Sequence, residues 1–133
     1  MKNKIYFLSL FLFILDRLIK KILFIKEEFL FFKLTPNPYF IFFFKGKIFY
    51  FLIPIVLFLL IFYIVKNYRQ KEYLKMFSLI LIFIGGLSNF FDHLFNGFVI
   101  DYFSFFNLLT LNLADLMIFA GLLFYFLKFV RIE

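Results

Sequence analysis

Cysteine is absent from this sequence, which rules out disulfides, a cysteine nucleophile and thiolate metal sites. Histidine occurs once, as His93, so a multi-histidine metal site is impossible. Tryptophan is missing, and residues 48–65 contain no charged side chain at all. What is present is apolar: 65% of the 133 residues are hydrophobic, 27% are aromatic, and 28 are phenylalanine. Mean hydropathy is +1.01. A soluble domain is about 45–50% apolar. So short a chain cannot enclose this much apolar surface in one core, and a bilayer is its natural solvent. The net charge is +7, but the basic residues fall between apolar runs. They read as a topology signal and not as a nucleic-acid footprint.

Four apolar segments, about 5–25, 48–65, 76–95 and 112–130, approach the roughly 20 residues a spanning helix needs. The reading is an all-α membrane protein of four transmembrane helices forming one integral domain over 1–133. Asp16, Arg17, Lys20 and Lys21 interrupt the first segment, and Pro54 lies in the second. MKNK followed by IYFLSLFLFIL has the outline of a signal peptide, but LDRLIKK stands where small cleavage-site residues belong. An uncleaved first helix is the better reading. The stretch FLFFKLTPNPYFIFFF (29–44) is broken by Thr-Pro-Asn-Pro and rich in aromatics. It suits a short β-like or re-entrant element on the outer side.

Lys66, Arg69, Lys71 and Lys75 crowd the second loop, Lys2 and Lys4 the N-terminus, and Lys128 and Arg131 the C-terminal end. The connection between the third and fourth segments has neither Lys nor Arg. The positive-inside rule puts both termini and the 66–75 loop in the cytoplasm. Lys26, Lys33, Lys45 and Lys47, on the loop assigned outside, run against it. In this topology Asp101 and Asp115 lie at the same outer face, joined by residues 102–114.

Ionisable groups inside a membrane are functional candidates, because each costs roughly 2.5–3.5 kcal/mol to insert on translocon scales. Asp16 and Lys20 share a helical face at i, i+4 and suit a structural ion pair. Arg17 and Lys21 are expected to snorkel toward the interface. Asn89, Asp92 and His93 lie on one face at the end of the third helix; His93 reads as a rim or packing residue. Asn89 and Asn112 suit hydrogen bonding between helices, and Gly85 and Gly86 permit close approach. Asp101 and Asp115 have no base nearby in sequence. Two readings stay open. They are separate interfacial carboxylates, one capping the fourth helix, or they meet and share a proton. In the second case the ionised member takes a proton from water while the protonated one polarises a carbonyl.

These residues carry a family resemblance. GGLSNFFDHLFNGFVIDYF followed by LNLAD is similar to the lipoprotein signal peptidases (signal peptidase II). That family's pattern has Asn-x-x-Asp-Arg, Gly-x-Val-x-Asp-Phe and Phe-Asn-x-Ala-Asp. The matches are Gly85, Asn89, Asp92, Gly97, Val99 and Asp101, then Asn112, Ala114 and Asp115. LDRLIK resembles the family's Asp-x-x-x-Lys, giving Asp16 and Lys20. LTPNPYFIF resembles its Asn-x-Gly-Ala-Ala-Phe, giving Asn37 and Phe42. The sequence departs from the pattern at His93 (usually Arg), Ser88 (Gly), Leu111 (Phe) and Tyr39, Phe40 and Ile41 (Gly-Ala-Ala).

The resemblance implies an aspartic endopeptidase of the bacterial cytoplasmic membrane. It would cut diacylglyceryl-modified prolipoproteins just before the lipidated cysteine. Asp101 and Asp115 would be catalytic. Asp16, Lys20, Asn37, Asn89, Asp92 and Asn112 would position the dyad, the substrate or the helices. No metal or cofactor is implied. The expected partners are lipidated prolipoprotein and membrane lipid, with no nucleic acid, and the protein is expected to be a monomer. The alternatives are a four-helix transporter or proton-coupled channel using the carboxylates as a relay, and a non-enzymatic scaffold.

Overall fold

A computed structural model describes residues 2–39, 46–106 and 108–130. Four helices occur among them: α1 (Lys2–Lys26), α2 (Phe49–Arg69), α3 (Tyr73–Asn96) and α4 (Leu113–Val130). Of these, α2 and α3 are long and apolar enough to cross a membrane by length and composition. Helices α1, α2 and α3 run beyond their apolar segments, whereas α4 matches its own. The loop expected at 66–75 is mostly helical, and only residues 70–72 join α2 to α3. Nothing in KNYR breaks a helix, and Asn67 Nδ2 donates back to the Tyr63 carbonyl at 2.8 Å.

Six short strands pair in twos: β1 (Glu28–Phe29) with β2 (Phe32–Lys33), β3 (Thr35–Asn37) with β4 (Val99–Asp101), and β5 (Phe103–Phe105) with β6 (Leu109–Leu111). The β-like element expected at 29–44 is therefore strand in its described part. Phe40, Ile41 and Phe42 lie outside the described residues. The β3–β4 pair is antiparallel, with Thr35 opposite Asp101 and Asn37 opposite Val99. That register stitches the segment after α1 to the segment after α3. The connection between the two aspartates is a hairpin, which periodicity did not reveal because its strands, Phe-Ser-Phe and Leu-Thr-Leu, are only three residues long, too short for alternation to stand out.

The interior holds many polar side chains beside its apolar clusters, and the exterior is apolar. Asp16, Lys20, Ser88, Asp92, Asp101 and Asn112 are buried, whereas Phe51, Phe58 and Phe119 are exposed. Such faces suit a lipid surround and would be a liability in water. One apolar cluster (Leu23, Ile100, Tyr102) seats the strands on the end of α1, and Phe32 packs edge-on to Tyr102 and Phe103. Another (Leu81, Ala114, Met117) joins α3 to α4.

Glycine sets the α3–α4 separation at two levels. A Cβ on Gly85 would lie 2.5 Å from the Ala114 carbonyl oxygen, and one on Gly121 would lie 2.6 Å from that of Ser78. Gly86 is different: its Cβ would meet only a Leu57 methyl at 3.4 Å. Gly85→Ala is therefore expected to lower stability by about 1–3 kcal/mol. Gly86→Ala should be near neutral. Thermal unfolding of both variants in detergent micelles checks the contrast, and equal losses would refute it.

Candidate active site

The first turn of α4 is where the site begins. Its leading N–H groups have no partners within the helix and must find them elsewhere. The Leu113 N–H donates to Tyr102 Oη at 3.0 Å, and the Ala114 N–H to Asp16 Oδ1 at 3.3 Å. The Asp115 N–H donates to Asn112 Oδ1 at 2.9 Å, while Asp115 Oδ2 accepts from the Asn112 N–H at 3.0 Å. Asn112 and Asp115 thus form a reciprocal capping box. This is why LNLAD starts a helix where it does.

Those two residues do more than cap. Asn112 Nδ2 donates to Asp101 Oδ1 at 2.9 Å and to Asn89 Oδ1 at 3.0 Å. All three polar positions of its side-chain amide are used, so the amide has one workable orientation. Asn89 Nδ2 in turn donates to Asp115 Oδ1 at 2.8 Å. Asn112 therefore touches both aspartates, through its backbone and through its side chain. The residue that caps α4 with Asp115 is therefore also the one that bridges Asp115 to Asp101.

Asp101 is almost fully buried, and Asp115 is half-buried. Asp101 Oδ2 accepts from Asn37 Nδ2 at 2.8 Å and from Thr110 Oγ1 at 3.0 Å. Asn37 reaches it because residues two apart across an antiparallel pair share a face. Burial pushes the Asp101 carboxyl up from 3.8 to about 6; the Asp115 charge pushes the same way, against the three donors.

Behind the pair lies a buried charge cluster. Lys20 Nζ is 3.0 Å from Asp16 Oδ2, 2.8 Å from Asp92 Oδ2 and 3.0 Å from Asn89 Oδ1. Ser88 Oγ donates to Asp16 Oδ2 at 2.6 Å, and Tyr102 Oη to Asp16 Oδ1 at 2.8 Å. Arg17 does not snorkel. Its guanidinium pairs with Asp92 Oδ1 and donates to the Ser88 carbonyl at 3.2 Å. Two carboxylates that low-dielectric surroundings would otherwise punish supply the reason. Lys21, by contrast, is exposed.

All eight expected site residues, Asp16, Lys20, Asn37, Asn89, Asp92, Asp101, Asn112 and Asp115, thus fall in one connected hydrogen-bonded network. Sequence reasoning left out Arg17, Ser88, Tyr102 and Thr110. Arg17 carried a signal as a charge inside an apolar run but was read as snorkelling, and Tyr102 carried one because a tyrosine hydroxyl in an apolar run usually finds a partner. His93 is also buried, and its Nε2 is 3.0 Å from the Tyr39 carbonyl.

A family model described as signal peptidase (SPase) II matches residues 8–131. The chain belongs to the signal peptidase II family. Among related signal peptidase II sequences, the lipoprotein signal peptidase of Lactococcus lactis subsp. lactis is 36% identical over 88 residues, which is 63% of this chain and 57% of that one. The lipoprotein signal peptidase of Streptococcus thermophilus is 40% identical over 65 residues, covering 47% and 42%. The chain thus spans about half the length of the relatives it matches. A solved structure described as a bacterial membrane enzyme superposes with a TM-score of 0.77 at 18% identity, covering 97% of this chain and 88% of that one. A second gives 0.75 at 16%. Membership of the signal peptidase II family makes the chain a membrane protein.

The cluster makes a stability prediction. Lys20→Met leaves Asp16 and Asp92 buried with only Arg17 as a cation and should cost about 3–5 kcal/mol. Arg17→Met should cost less, because the Arg17 side chain is 32% exposed and water can replace it. Thermal melts in detergent, with Lys20→Met melting no lower than Arg17→Met as the contrary result, decide between them.

Proposed function

We propose that this protein is an intramembrane aspartic endopeptidase that removes signal peptides from diacylglyceryl-modified prolipoproteins, cutting before the lipidated cysteine. The observation that carries the reading is the single side chain, Asn112, that hydrogen-bonds Asp101 while its backbone holds Asp115. Family membership supports the substrate class.

In this reading the pair carries one proton. The ionised carboxylate takes a proton from water, the protonated one polarises the scissile carbonyl, and water attacks the carbonyl carbon. On collapse the C–N bond breaks and the amine leaves with a proton from the pair. Asn112, Asn89, Asn37 and Thr110 are fixed donors that hold both carboxyl groups still during these transfers. All four helices would span the bilayer of the bacterial cytoplasmic membrane, with both termini cytoplasmic and the pair near the outer face. A substrate held in the bilayer by its own acyl chains presents its scissile bond at that depth. A proton relay would need a polar path across the membrane. Away from the cluster, Asn67 and Ser78 bond only to carbonyls of their own helices, Tyr63 and Leu74.

Cleavage of a purified lipidated prolipoprotein tests the assignment. Asp101→Asn and Asp115→Asn, each shown to fold, should lose activity by on the order of 10³-fold or more. Near-full cleavage by either would sink the dyad.

The pH profile tests Asp101 separately. Its folded-state value is raised to about 6, so it keeps its proton well above the ordinary carboxylate range. As the proton-holding member, it should give kcat/KM a limb that falls as pH rises through about 6. The Asn37 hydrogen bond lowers that value, so Asn37→Ala should move the limb upward. A downward move would contradict the assignment. The stability contribution of this group has the same sign: it is complete below 3.8 and lost as pH rises to about 6.

A further inference from the structure

His93 follows Asp92 directly on α3. Its imidazole is 2% exposed. Nε2 lies 3.0 Å from the Tyr39 carbonyl oxygen, and since a carbonyl can only accept, Nε2 carries the proton. The backbone carbonyl of His93 also accepts from Tyr50 Oη at 3.2 Å. One buried residue of α3 therefore holds both Tyr39 and the first turn of α2.

Tyr39 is the next link. Its N–H donates to Asn37 Oδ1 at 3.0 Å, closing an Asx turn. With that oxygen occupied, the amide nitrogen of Asn37 faces Asp101 Oδ2 at 2.8 Å. A flipped Asn37 would instead set its oxygen against a carboxylate oxygen, two acceptors with nothing between them. Asn37 is half-buried and Tyr39 is exposed, so water competes for the turn. The bond to His93 is the buried anchor that steadies it.

We infer that His93 is a positioning residue: through Tyr39 and the Asx turn it fixes the Asn37 amide so that its donor stays on Asp101. The consequence for turnover rests on the proposed peptidase activity; the consequence for Asn37 does not.

Two measurements on the full chain in detergent micelles test this. In lipidated prolipoprotein cleavage, His93→Leu should lower kcat by about tenfold or more with KM within about twofold, because only dyad geometry is disturbed. His93→Gln keeps an N–H donor and should recover most of the rate. His93→Leu combined with Asn37→Ala should be no slower than Asn37→Ala alone, since both act on one bond. Independently, selective ¹⁵N-asparagine labelling should show an Asn37 side-chain amide slow to exchange with water. That protection should persist in His93→Gln and vanish in His93→Leu. An unchanged Asn37 amide in His93→Leu, or fully additive losses in the double variant, would overturn the inference. If the unmutated protein cleaves no lipidated prolipoprotein, the proposed function falls, and the amide signal still decides the role of His93.

Discussion

An ammonium group buried among three helices organises this molecule. Lys20 has three protons, and Asp16, Asp92 and Asn89 take them at 3.0 Å or less. Two of those acceptors are on α3 and one is on α1, so the charge cannot be satisfied unless the two helices dock in one register. Asp16 extends the constraint to α4 by accepting its Ala114 N–H. Asn89 extends it to Asp115 and Asn112. The position of the aspartate pair is thus set by electrostatics several residues away, because a buried charge left without its partners is far more costly than one that keeps them.

Around this centre the usual layering of a protein is inverted. Between helices in lipid there is little hydrophobic drive, since acyl chains are as apolar as leucine. Cohesion comes instead from the polar network and from close backbone approach at Gly85 and Gly121. The groups that bind the helices together are also the groups that build the candidate site. Asn112 and Asp115 cap α4 and, with the same side chains, engage Asp101 and Asn89. Fold and site share atoms, and this explains how so short a chain can carry both. In the proposed cleavage, the same sharing keeps the carboxyl groups and their donors preorganised.

Much of this was legible in the residue order. Four apolar runs forecast four helices, and the charged residues inside them marked the cluster. The i, i+4 spacing of Asp16 and Lys20 placed them on one face. Thr-Pro-Asn-Pro marked the break that became β3. The aspartates' connection was not legible as a hairpin, because alternation is the signal for a strand and three-residue strands carry too little of it. Arg17 was misread because a long basic side chain can snorkel and nothing local showed that Asp92 would lie beside it.

The sequence by itself determined the solvent, the number of helices and the set of polar residues whose burial had to be compensated. Those follow from composition and from one-dimensional spacing, which also set the capping box at Asn112 and Asp115. Tertiary structure alone decided who compensates whom. Arg17 finds Asp92, Tyr102 finds Asp16, Asn37 finds Asp101 and His93 finds Tyr39, each across more than fifty residues of chain. Such pairings depend on helix register and on the β3–β4 pairing, and neither has a local signature. The physical reason is that a buried polar group needs a partner of the right kind, while sequence spacing cannot say which distant one will arrive.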